Sequence, residues 1–156
     1  MKPIIKKGAI LSVVLFLLMQ LYQPARNVEY GQVSPMHFTK LYKVPAKVQG
    51  ILQTSCFDCH SNNTKYPWYS YVQPVRIFMD SHINEGKENL NFSEFGTYSK
   101  RKQQSKLDRM IKQIKSDEMP LASYTMMHKN AVLTSESKAI LLNWIEETKD
   151  SISANN

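Results

Sequence analysis

Cys56 and Cys59 stand three positions apart, and His60 follows the second cysteine directly. Two thiols at that spacing can close a disulfide, exchange electrons as a dithiol, or help to hold a metal or metallocofactor. The run Cys56-Phe57-Asp58-Cys59-His60 is a C-x-x-C-H sequence, the spacing that attaches a c-type haem. Each thiol can add to one vinyl group on the edge of the macrocycle. Two intervening residues put the sulfurs about one helical turn apart, close enough to reach both vinyls. The imidazole that follows can bind iron through Nε2, with its Nδ1–H oriented by a backbone carbonyl. A redox dithiol belongs in a βαβ setting that this sequence lacks, and a zinc site needs a second ligand pair that two cysteines cannot supply. A plain disulfide is allowed in an exported protein. The added histidine, the export signal and the helical pattern together favour one covalent haem c.

A second axial ligand is expected from Met119, next to Pro120 and well past His60. A thioether is a soft ligand that raises the reduction potential, and proline rigidifies the loop that would hold it. His82 is the alternative and would give a bis-histidine centre. His128, Met126 and Met127 remain further candidates, whereas His37 reads as exposed. Tyr66, Trp68, Tyr69 and Tyr71 follow the motif closely. They form either a wall over one haem edge, with Tyr66 or Trp68 reaching a propionate, or an aromatic cluster with no bond to the cofactor. Lys65 or Arg76 could pair a propionate, though such residues are more often solvated.

The elements that must position these groups read as helices. Gly is scarce and no long alternating run of β-branched residues occurs, so the expectation is an all-α, cytochrome c-like domain packed around its haem. Pro45 opens a helix carrying Val48, Ile51 and Leu52 on one face and ending just before Cys56. Pro74 opens a second, with Val75, Phe78, Met79 and His82 on neighbouring turns and Gly86 at its end. Phe92 and Phe95 anchor a loop. Ser99 caps a third helix whose stripe is Leu107, Met110, Ile111 and Ile114, and Pro120 limits it. Thr134 caps the last helix, with Ile140, Leu141, Trp144 and Ile145 inward.

The N-terminus reads as an address. Lys2, Lys6 and Lys7 precede an apolar run from Gly8 to Tyr22, the pattern of an export signal. Counted from Pro3, the helix reaches about 30 Å, enough to cross a hydrocarbon core. No small-x-small cleavage site follows, so a retained anchor is favoured over a cleaved signal. Residues 1–23 are thus a signal anchor or signal peptide, 24–44 a linker that wraps the domain, 45–150 the haem domain and 151–156 a polar, frayed tail. The rest of the chain should lie on the periplasmic side of a bacterial inner membrane, or free in the periplasm if the segment is cleaved.

The formal charge is +7 over 156 residues, and removing the three N-terminal lysines leaves a mild +4. Nucleic-acid binding would need a basic stripe interleaved with exposed aromatics. Lys100, Arg101, Lys102, Lys106 and Arg109 come nearest, and they read as the solvated face of a helix.

The run from Cys56 to Ser70, which includes Asn62-Asn63-Thr64-Lys65-Tyr66-Pro67-Trp68-Tyr69, resembles the bacterial haem-binding domain family of small exported proteins. So do Gln73-Pro74-Val75, Asn91-Phe92-Ser93-Glu94-Phe95, and Glu118-Met119-Pro120-Leu121 with Ser123-Tyr124 and His128. Met119-Pro120, followed by Leu133-Thr134, Glu136 and Trp144, is also similar to the end of class I cytochromes c. The resemblance implies haem binding at Cys56, Cys59 and His60 and raises Met119 as sixth ligand; it implies no particular reaction. With both axial positions filled, the expected function is electron transfer between redox partners of the envelope, a carrier rather than an enzyme. The alternative is a peroxidase or gas or redox sensor with an open iron site.

Overall fold

The computed structural model describes residues 2–154, which form helices, turns and loops without a strand. The helices are α1 (Lys2–Gln20), α2 (Phe38–Leu41), α3 (Ala46–Ser55), α4 (Phe57–His60), α5 (Val75–Asn89), α6 (Lys100–Lys115), α7 (Ala122–Met127) and α8 (Ser135–Ala154). Short 3-10 segments at Trp68–Tyr71, Phe92–Thr97 (kinked at Glu94) and Lys129–Ala131 link them. The all-α class follows from the sequence pattern.

The core forms where α6 and α8 cross. Leu107, Met110, Ile111 and Ile114 recur at helical spacing and are buried against Leu141, Trp144 and Ile145. Val48 and Leu52 of α3 close one side. The caps fall where the sequence puts them: the Ser99 hydroxyl accepts the Lys102 N–H and the Thr134 hydroxyl accepts that of Ser137.

Three segments differ from expectation. Residues 24–44 wrap the domain, but they also supply a core residue. Phe38 of α2 is fully buried, with its ring 4.7 Å from Phe95 and 5.3 Å from both Phe92 and Trp144. The last helix runs to Ala154 because Ile152 extends the stripe of Leu141 and Ile145 and is itself buried; the end of the expected tail, 155–156, lies outside the described residues.

The third difference lies in α5, where Arg76 is buried rather than solvated and Gly86 falls inside the helix. Val75 and Phe78 face solvent, and Arg76, Ile83 and Gly86 point inward. The Arg76 guanidinium can be buried because its charge is paired and its Nε and Nη2 are bonded. It pairs with Asp80 at 2.7 Å, donates to the carbonyls of Pro24 and Ala25, and lies 4.4 Å from the Tyr66 ring centre. Gly86 does not end the helix, which continues to Asn89.

Candidate functional site

The cysteine motif lies at a break between two helices. Cys56 closes α3 by donating its N–H to Leu52 O, and its own carbonyl then accepts from Cys59 and His60 to start α4. Both thiols and the imidazole therefore sit on a single turn. Burial raises the Cys56 thiol to about 12, with Cys59 adding to the shift, and raises Cys59 to about 11, with Asp58 adding. Both thiols are neutral at physiological pH.

The orientation of His60 is set from α5. Its Nδ1 lies 2.8 Å from Gly86 O and 3.0 Å from Leu90 O. Both partners are acceptors only, so Nδ1 carries the proton and Nε2 keeps its lone pair. Burial lowers the pKa of the ring against the opposing pull of the two carbonyls, which favours neutral imidazole. A neutral ring with a free Nε2 and a tethered Nδ1–H is the form that ligates a metal.

Gly86 makes this contact possible. A Cβ there would stand 2.6 Å from the Cys59 carbonyl oxygen, so α5 lies directly against the motif turn. Gly86→Ala must therefore push backbone away from backbone. It is expected to destabilise the fold by about 1–3 kcal/mol, read as a lower midpoint in denaturant unfolding. An unchanged midpoint would mean that α5 and the motif are not in this contact.

Cys56, Cys59 and His60 line a cavity of about 450 Å³, within the range of small-molecule and cofactor sites. Helix α5 contributes His82 and Glu85, α6 contributes Arg109 and Met110, and the loop after α6 contributes Met119 and Pro120. That loop is pinned to α6, because Gln113 O accepts the N–H groups of both Glu118 and Met119, at 3.0 and 3.2 Å. Asp117, in the left-handed region at φ 61°, makes the turn and pairs with Lys138 of α8.

Cys56, Cys59, His60, Met119 and His82 thus share one cavity. Tyr66 and Trp68 do not line it, so the expected aromatic wall over that cavity is not formed by them. The Tyr66 hydroxyl accepts the Asn27 N–H and its ring lies against Arg76, while Trp68 is largely in solvent. Arg76 is committed to Asp80, and Lys65 likewise lies outside the cavity lining. Met126 and Met127 are exposed. His128 Nε2 lies 2.6 Å from the Tyr69 hydroxyl, and its ring stacks on Tyr124.

Two features escaped the sequence reading. Asp58, inside the motif, is a polar hub: its carboxylate accepts the Lys65 N–H and the Tyr124 hydroxyl, at 3.1 and 2.8 Å, tying α4 to α7. The spacing of the motif hides this partnership across the fold. Lys106, Arg109 and Lys112 line the cavity, although Lys106 and Arg109 read as part of a solvated helix face. Their proximity to the motif depends on where α6 packs, which periodicity alone does not give.

Two thiols, one imidazole lone pair and one thioether converging on a largely apolar cavity are a donor set that fits an iron porphyrin. A comparison with curated proteins finds cytochrome c peroxidase Ccp of Escherichia coli (strain K12), 27% identical over 114 residues, which is 70% of this chain and 24% of that protein. The chain therefore spans about a quarter of that relative's length. No solved structure matches it. The model of the haem-binding domain family matches residues 14–147, from within α1 almost to the end of α8, and the chain belongs to that family.

Proposed function

We propose that this protein is a mono-haem c-type cytochrome that transfers electrons on the periplasmic side of a bacterial inner membrane. The observation that carries the reading is the convergence of Cys56, Cys59, His60 and Met119 on one cavity. Cys56 and Cys59 would hold the group through two thioether links, and His60 Nε2 and the Met119 sulfur would be donors to its iron. Bound there, haem supplies a one-electron couple whose potential depends on its axial ligands and its burial. His60 is held in register by Gly86 O and Leu90 O, and Asp58 and Tyr124 brace the motif turn. Lys106, Arg109 and Lys112 supply positive charge at the cavity, suited to the two carboxylates of a haem. Helix α1 would anchor the domain, and acidic redox proteins of the envelope suit the mild positive charge as transient partners.

A second reading is peroxide reduction, supported by the similarity to a cytochrome c peroxidase over a quarter of its length. It needs an open axial position and an acid–base group beside it. His82 is the other histidine at the cavity, and its Nδ1–H donates to Phe78 O. Carbon monoxide separates the two readings. Protein matured with haem-attachment machinery and then reduced is expected to show a low-spin spectrum that carbon monoxide barely changes. Rapid, stoichiometric carbon monoxide binding would replace electron transfer with the open-site reading.

A further inference from the structure

The domain exposes a short run of apolar residues close to the end of α1. Trp68 is 77% exposed, Phe78 59% and Tyr71 51%, with Val72, Val75 and Ile77 also in solvent beside them. Soluble surfaces scatter such residues singly, and a contiguous patch marks a face that something apolar covers. These six residues occupy the Trp68–Tyr71 turn, the residue after it and the first turn of α5.

The same run receives the end of α1. Gln20, the last residue of that helix, donates from Nε2 to Gln73 O at 3.2 Å and accepts the Gln73 N–H at 2.8 Å. Gln73 is fully buried, and its Nε2 donates to Tyr22 O at 2.6 Å. Gln23 donates to Tyr71 O, and the buried Arg76 donates to the carbonyls of Pro24 and Ala25. The chain leaving α1 is thus fastened to this face with no slack between helix and domain.

The apolar span Pro3–Gln20 has 18 residues, none of it buried inside the protein. As a helix it rises about 27 Å, close to the ~30 Å of a hydrocarbon core. A helix that leaves the hydrocarbon at Gln20 brings Gln73 and its neighbours to headgroup level. Trp and Tyr are the residues enriched there; Tyr22 and Tyr71 lend carbonyls to the bonds that join α1 to the domain, and Trp68 opens the turn that Tyr71 closes. The Arg26 guanidinium, 4.4 Å from the Tyr71 ring centre, adds the charge that anionic headgroups attract.

The geometry points to a lipid-docking face: Trp68, Tyr71, Val72, Val75, Ile77 and Phe78 enter the outer interface of the same bilayer that α1 spans. The domain is then pressed against the membrane rather than swinging on a tether. Continuity with α1 selects lipid over a second copy of the chain as the occupant. The Phe78 ring lies 4.3 Å from that of His82, which lines the cavity, so docking holds that wall of the cavity beside the bilayer. The inference rests on the anchored placement proposed above and not on the haem chemistry.

The chain has two tryptophans, and Trp144 is buried in the core. Full-length Trp144→Phe protein in phosphatidylcholine vesicles therefore reports on Trp68 alone. Lipid brominated near the headgroup is expected to quench about half of its emission relative to unbrominated lipid, as for an indole in the aromatic belt. Lipid brominated near the chain ends should quench less. In protein that keeps Trp144, Trp68→Phe should abolish the lipid-dependent quenching, which tests the same face if Trp144→Phe folds poorly. Flotation of the full chain with the vesicles reads the anchor separately. Flotation with an unquenched Trp68 overturns the docking face and leaves the anchor standing, including the case where a second copy shields the indole. Failure to float overturns both.

Discussion

Protein carrying serine at both Cys56 and Cys59 is expected to mature without any covalently held porphyrin. The denatured polypeptide should have the mass of the bare chain, and acidified organic solvent should extract whatever haem remains. Serine nearly matches cysteine in size but cannot form a thioether, so the change removes the linkage chemistry with little change in shape. Each single serine variant keeps one thiol on the turn that carries His60 and should retain a reduced fraction of attached haem. The double variant should also be less stable than the matured protein, because the cavity of about 450 Å³ loses the tethered group whose apolar surface folding would bury there. His60→Ala separates attachment from ligation: both thiols remain, and the tethered imidazole is lost. Porphyrin that survives denaturation and acid extraction of the double variant would sink the c-type reading. It would leave intact only what family membership establishes, a haem-binding domain.

The parts of this molecule legible in the sequence are those that depend on local spacing. The α6 and α8 stripes, the Ser99 and Thr134 caps and the position of the cysteine motif at a helix end all follow from residues within a few turns of one another. A tether on His60 Nδ1 follows in kind from the motif, since a ligating imidazole needs one, but its source on α5 depends on tertiary packing. The buried face of α5 depends on tertiary packing for a related reason. Local sequence places an arginine in solvent or on a propionate, and it does not show that Arg76 finds Asp80 and two carbonyls of residues 24–44 to satisfy it. Gly86 reads as a terminator because glycine commonly ends helices, whereas in the fold it clears space for the Cys59 carbonyl. Phe38 gave no signal within its own polar segment, and its burial depends on Phe92, Phe95 and Trp144, which come from distant parts of the chain.

Met119→Ala is expected to turn a low-spin protein into a high-spin one that binds carbon monoxide, with loss of the near-infrared band of a methionine–iron pair. The size of this effect depends on whether another donor can take the vacated position. Met126 and Met127 are exposed and outside the cavity, and His128 is held by Tyr69 and stacked on Tyr124. His82 is the histidine left at the cavity besides His60, and its Nδ1–H already points at Phe78 O. The fold itself should barely register the change. Met119 is only half-buried, and its loop is held through backbone bonds to Gln113 and through Asp117, neither of which uses the side chain. A spectral change at constant unfolding midpoint therefore reports ligation and not collapse. Met119→His offers the converse check. An imidazole from the same pinned loop should keep the low-spin state while lowering the potential by a sizeable part of the roughly 0.8 V that axial ligands span. If Met119→Ala keeps its low-spin spectrum and His82→Ala loses it, the centre is bis-histidine. If neither variant changes a spectrum that is high-spin from the start, the open-site reading takes over.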